Sequence, residues 1–173
     1  APDRPETGYG YLELSQAPKD GPVALTRFVE KPDADAAQTM LASGNFLWNA
    51  GIFLFSAKAI IAAFEAHAPQ LIAPVQAAVD GLAQDLNFYR LAETPWGEAD
   101  DISIDYAVME KADNLSVVPF TGAWSDLGGW DAVWRESGAG VVTGGPATAI
   151  DCADTLLRSE SEGLELVGIG LKD

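Results

Sequence analysis

A chain of 173 residues that is 48% hydrophobic and 21% charged is long enough for one substantial core with a small appendage. Its formal net charge of -16 argues against a nucleic-acid backbone or an anionic membrane surface as partner, since both would be repelled, and it draws attention to the 10 Lys and Arg residues wherever an anionic ligand is to be held. No apolar run approaches bilayer-spanning length, the first residues lack the apolar centre of a signal peptide, and the one cysteine, Cys152, excludes an internal disulfide, so a cytoplasmic location is the expectation.

The chain starts without a methionine in a polar, Pro-containing stretch, which reads as a fragment. Residues 8–14 then alternate aromatic or apolar with small or polar side chains, the pattern of a strand with a glycine-opened start. Residues 16–22 read as a turn and 23–30 as a second strand, hairpin-paired with the first. That strand runs into Phe28-Val29-Glu30-Lys31-Pro32, where Pro32 is expected to hold Lys31 extended. Asp33 caps a short helix carrying Ala36, Ala37, Met40 and Leu41, and Gly44 closes it.

Residues 46–55 read as a buried strand interrupted by Asn49 and Gly51. From Ala57 on, Ile60, Ile61, Phe64, Leu71, Ile72, Val75, Val79 and Leu82 recur at helical spacing, with Pro69 and Pro74 dividing or kinking the helix. His67, beside that break, reads as a surface residue. A mixed stretch over 85–96 is followed by a Ser-capped helix over 101–111 and a short β-branched strand over 115–120. Next comes Trp124-Ser125-Asp126-Leu127-Gly128-Gly129-Trp130, leading into a helix over about 129–136. The Gly-rich segment 138–146 reads as a linker, and 147–173 as two or three strands of a separate or incomplete unit. Strands alternating with helices in the first two-thirds imply an α/β architecture. The chain carries neither a P-loop pattern nor a His-Glu-x-x-His zinc pattern.

Polar residues at strand ends are the candidates for chemistry, because open α/β sheets bind ligands there. Gly10 permits close backbone approach. Glu30 and Lys31 together suit a sugar phosphate, the carboxylate accepting from vicinal hydroxyls and the ammonium meeting the phosphate, or else they form a solvated strand end. Asn49 either bonds a hydroxyl with both ends of its amide or satisfies buried backbone groups. Asp126 is either the cap of the following helix, a role Ser125 could equally fill, or a Mg²⁺ ligand, since Mg²⁺ is held by one or two carboxylates together with substrate phosphates. Asp105 and Glu110 are other candidate metal ligands, though their place on a capped helix favours a surface or helix-dipole role.

Five blocks in order, Thr7-Gly8-Tyr9-Gly10-Tyr11, Phe28-Val29-Glu30-Lys31-Pro32, Trp48-Asn49-Ala50-Gly51, the run from Ser103 to Lys111 and Trp124-Ser125-Asp126-Leu127-Gly128, resemble mannose-1-phosphate guanylyltransferases, including the forms fused to mannose-6-phosphate isomerase. The resemblance implies a partial nucleotide-diphospho-sugar transferase fold, Rossmann-like with a mixed sheet, plus a short β-rich C-terminal segment. It implies GTP and mannose 1-phosphate as substrates, GDP-mannose and pyrophosphate as products, and Mg²⁺ as cofactor. By that resemblance Gly10, with Tyr9 beside it, approaches the sugar, Glu30 holds mannose hydroxyls and Asn49 the sugar. Lys31 holds the phosphate, Asp126 holds the metal, and these last two are the catalytic residues.

The family's Gly-rich nucleotide loop, base-reading residues and second metal aspartate have no counterpart here. The expected organisation is therefore a sugar-binding half over 1–137, a linker over 138–146 and the start of a β-rich region over 147–173, inactive alone. In such a fragment Asp126 is expected metal-free and capping its helix. Two other readings stand beside this one: a non-catalytic sugar-phosphate binding module, and a uridylyl- or thymidylyltransferase acting on glucose 1-phosphate. Isomerase activity is not expected. A half-domain exposing apolar surface is open to pairing as a homodimer.

Overall fold

The computed structural model of the chain describes residues 1–17 and 20–172. The chain folds as two compact units, Ala1–Thr121 and Gly122–Asp173. The first is laid down around β1 (Tyr11–Leu14), whose neighbours are β2 (Val23–Val29) and β3 (Phe46–Trp48), both antiparallel to it. A short β6 (Ser116–Val117) extends the sheet beyond β2, giving the order β3-β1-β2-β6. The hairpin expectation holds, while the turn read over 16–22 includes Pro18 and Lys19, which lie outside the described residues.

Alternation along β1 sends successive side chains to opposite faces, and each face acquires its own core. Leu12 lies opposite Phe28 and Leu47, and this face packs with Ala68, Leu71, Ala107, Val108 and Met109. Tyr11 lies opposite Val29 and Trp48, and this face packs with Phe46, Ala37 and Met40. Helices therefore flank the sheet on both sides, the layering that the strand and helix alternation implies. On the Tyr11 side is α1 (Ala34–Ser43), started by Asp33, whose Oδ1 accepts from Ala36 N at 2.8 Å, and stopped by Gly44 at φ 72°.

The other side is built from α2 (Ala57–His67), a 3₁₀ turn at Pro69–Leu71 and α3 (Ile72–Asp80). The break falls at Pro69, which cannot continue the α2 hydrogen-bond ladder, whereas Pro74 is accommodated in the first turn of α3, where an amide would have no helical acceptor. A small hairpin, β4 (Ala83–Asp85) and β5 (Phe88–Arg90), and a one-turn α4 (Glu93–Gly97) follow. The run read as a strand over 46–55 ends as a strand at Trp48. The helix read over 101–111 is a single π-turn, Asp105–Met109, in which Glu110 N donates to Asp105 O at 3.0 Å. Its wider turn buries three consecutive residues, Ala107, Val108 and Met109, where an α-helical stripe would not.

In the second unit, α5 (Trp130–Glu136) leads into four strands, β7 (Val141–Gly144), β8 (Ala147–Ile150), β9 (Thr155–Arg158) and β10 (Leu166–Ile169). The pairs β7·β9 and β8·β10 are parallel, so the chain rises from one layer of two strands to the next like a solenoid. Gly145 makes the corner at φ 67°, and a β-carbon there would run into the Ser159 carbonyl oxygen. The segment 138–146 is thus not a bare linker. It carries β7, and Trp134 Nε1 donates to Gly140 O at 2.8 Å, just ahead of that strand, within the second unit. Among the described residues no helix is long and apolar enough to cross a membrane.

Candidate functional site

Antiparallel pairing brings the start of β1 and the ends of β2 and β3 to one end of the first sheet, so Gly10, Glu30 and Asn49 converge although the chain separates them widely. Asn49 N donates to Gly10 O at 2.7 Å. A β-carbon on Gly10 would stand 2.6 Å from Glu30 Oε2 and 3.2 Å from Asn49 Cβ. Glycine at this position leaves the space in which the carboxylate sits.

Glu30 is held from two directions. Its backbone N–H donates to Glu110 Oε1 at 2.8 Å, and its Oε1 meets Lys31 Nζ at 2.9 Å. The side chain is only 8% exposed, and Oε2 is buried without a hydrogen-bond partner. A buried, unmatched carboxylate oxygen costs about 1–3 kcal/mol or more.

Lys31 departs from the extended conformation that its proline neighbour led us to expect and stands at φ 46°. Along an extended strand, adjacent side chains point to opposite faces, so Lys31 could not return to Glu30; the left-handed turn lets the two converge. The hydrogen bond and charge of Glu30 raise the Lys31 pKa above its ordinary value, with Tyr106 and Asp105 adding to the field. With 56% of its side chain exposed, the ammonium remains open to a second anion.

Asn49 is fixed at both ends of its amide: Nδ2 donates to Asp105 Oδ1 at 3.2 Å, and Oδ1 accepts from Gly51 N at 3.0 Å. One N–H and one lone pair remain for another partner. Beside it, Tyr9 meets Trp48 edge to face with centroids 5.3 Å apart, and Arg4 lies 4.8 Å from the Trp48 ring centroid. Burial works against the Arg4 charge, but Asp3 and Glu6 outweigh it and hold its pKa above the ordinary value.

Asp126 belongs to the second unit. It does not cap α5: the cap is Gly129, without a side-chain bond, and Asp126 Oδ1 instead accepts from Gly128 N at 3.2 Å in a local turn. Ser125 makes the equivalent contact, its Oγ accepting from Leu127 N at 3.3 Å. With Leu127 at φ 50° between these two acceptors, the chain turns before the helix starts, leaving both side chains a step too early to reach its free amides. Among the described residues no group of three or more His, Cys, Asp or Glu is placed to hold a metal ion.

Residues 1–139 match the nucleotidyl transferase family. The chain belongs to that family. Among relatives, the chain is 44% identical over 171 residues to a mannose-1-phosphate guanylyltransferase of Sinorhizobium fredii, with 97% of the chain covered and 33% of the relative. It is 36% identical over 174 residues to one from Escherichia coli, covering 97% of the chain and 37% of the relative. The chain spans about a third of the length of these curated relatives. Among solved structures, one described as mannose-1-phosphate geranyltransferase from Thermus thermophilus superposes with a TM-score of 0.78 at 29% identity, covering 99% of the chain and 49% of that protein.

Gly10, Glu30 and Asn49 lie together, Lys31 meets Glu30, and Tyr9 packs on Trp48 alongside. Sequence reasoning assigned no role to Arg4, and it placed Asp105 and Glu110 in a surface or dipole role. Glu110 contacts a residue 80 positions away and Asp105 one 56 away, so no local pattern signals either.

Proposed function

We propose that this chain supplies the sugar-phosphate side of a mannose-1-phosphate guanylyltransferase, in which mannose 1-phosphate and GTP give GDP-mannose and pyrophosphate. The observation that carries the reading is the buried, unpartnered Glu30 Oε2, set against Gly10 and beside an exposed Lys31. Glu30 accepts from sugar hydroxyls, and Asn49 uses its remaining N–H and lone pair on the same ring. Lys31 holds the phosphate and keeps its oxygen directed at the α-phosphorus of the nucleotide. That oxygen forms the new P–O bond as the bond to pyrophosphate breaks, so the chain's contribution is position and charge.

Asp126 would hold Mg²⁺, a single carboxylate being compatible with an ion that keeps several of its waters, and the bound ion would supply charge neutralisation. The same reading places the chain in the cytoplasm, in keeping with the free thiol of Cys152.

Calorimetric titration tests the proposal. Mannose 1-phosphate and GDP-mannose are expected to bind more tightly than UDP-glucose, and Glu30→Gln or Lys31→Ala to weaken that binding at least about tenfold. Absence of binding by mannose 1-phosphate, or preference for UDP-glucose, overturns it. Since the chain spans about a third of the guanylyltransferases it matches, binding without turnover is the outcome expected of these 173 residues alone. GDP-mannose formation by the purified chain would refute that part.

A further inference from the structure

We infer that the π-turn Asp105–Met109 is a carboxylate brace that orients both sugar-side residues, Asp105 acting through the Asn49 amide and Glu110 through the Glu30 backbone. The inference rests on the sugar-phosphate reading and adds to it two positioning residues, neither of which need touch the ligand.

The geometry of the turn comes first. Its i to i+5 bond, Glu110 N to Asp105 O, sets the two carboxylates on either side of the buried run Ala107, Val108 and Met109. These three are 0%, 1% and 5% exposed and pack into the same cluster as Leu12 and Phe28, so the turn is anchored in the core beneath the strands whose ends it braces. A carboxylate on such a base moves little, which is what positioning another side chain requires.

Each contact also has a direction. An ionised carboxylate only accepts, so Asp105 demands the NH₂ end of Asn49, while Gly51 N demands its oxygen. The amide can satisfy both in one orientation, and a flip would set oxygen against oxygen and N–H against N–H. Glu110 acts where the β1·β2 ladder has ended: Tyr11↔Val29 is the last pair, and the next amide, Glu30 N–H, finds Glu110 Oε1 in place of a strand. That bond pins the backbone one residue before Lys31 turns left-handed.

The test uses the ¹⁵N-labelled chain, with mannose 1-phosphate as probe. In the free wild-type protein the Glu30 amide should be protected from hydrogen exchange although it lies beyond the ladder, and the Asn49 side-chain proton donated to Asp105 should lie downfield of, and exchange more slowly than, its geminal partner. Rapid exchange at Glu30 together with Asn49 protons at the shifts and exchange rates of a solvent-exposed asparagine overturns the brace whatever the variants do. Glu110→Gln and Asp105→Asn keep an acceptor oxygen and should bind within about twofold of wild type, whereas Glu110→Leu and Asp105→Leu should lose about tenfold or more.

The decisive comparison is a cycle with Asn49→Ala, in which Asp105→Leu should cost nothing further, since its effect passes through Asn49. An equal loss in both backgrounds, or folded Leu variants that bind like wild type, would overturn the inference. If the wild type fails to bind mannose 1-phosphate, the functional reading falls, and the brace is judged on the two ligand-free measurements alone.

Discussion

At Glu30, a carboxylate oxygen is held out of water at the expense of the fold. Oε2 is buried and unmatched while Oε1 is committed to Lys31, so the free chain carries an unmet desolvation cost that a ligand hydroxyl would relieve. Glu30→Gln should therefore leave the thermal midpoint unchanged or raise it while binding of mannose 1-phosphate weakens at least about tenfold; a lowered midpoint with affinity intact would assign the residue to stability. Lys31 predicts a pH dependence with a definite sign. Because Glu30 raises its pKa, the folded protein favours the protonated form, and the stabilisation is complete below the ordinary value of 10.5 and disappears as pH climbs through the raised one. The Lys31 contribution to binding should be flat from about pH 7 to 9 and fall only at the alkaline end. Comparing the pH profile with that of Lys31→Met checks this, since the variant should lack the alkaline fall.

Elements differ in how far their own sequence announces them. The α1 helix was fully legible, because Asp33 and Gly44 are local signals that act on the nearest few residues. So was the β1·β2 hairpin, through period-two alternation and short separation. The π-turn was not: its hydrogen-bond register follows from burying three consecutive residues against distant strands. β7 was likewise concealed, since a Gly-rich strand resembles a linker until β9 supplies its ladder from farther along the chain. For the site, Gly10, Glu30, Lys31 and Asn49 stood out as polar residues at strand ends, whereas the left-handed turn at Lys31 overrode the preference of a residue before proline in favour of the Glu30 ion pair. The solenoid predicts one outcome at its own scale. Gly145→Ala places a β-carbon against the Ser159 carbonyl oxygen at a left-handed corner, and should destabilise the second unit by at least about 2 kcal/mol. Urea unfolding followed through Trp130 and Trp134 would read this, and an unchanged midpoint would show that the corner can open.

Over the whole molecule, charge opposes the ligand proposed for it. A net charge of -16 repels a sugar phosphate, and the surroundings of the site do not reverse that sign, since Lys31 is accompanied by Glu30, Asp105 and Glu110. Two contributions therefore compete: a short-range contact with Lys31 and a long-range repulsion from the acidic surface. Salt separates them, because the screening length shrinks from about 30 Å at 0.01 M to about 10 Å at 0.1 M, removing distant charges while sparing contacts of about 3 Å. If repulsion prevails at long range, affinity for mannose 1-phosphate should rise between about 10 and 150 mM NaCl, opposite to the fall seen when a basic site steers an anion. A steep decrease would mean that the local cation sets the field and that the acidic surface lies too far away to matter. Screening alone treats all salts of equal ionic strength alike, whereas a Mg²⁺ held by Asp126 would act specifically. MgCl₂ should then tighten GDP-mannose binding beyond ionic-strength-matched NaCl, and Asp126→Ala should abolish the difference while leaving the NaCl response in place. Equal titrations in the two salts would remove the metal from the proposal without disturbing the assignments of Glu30, Lys31 and Asn49.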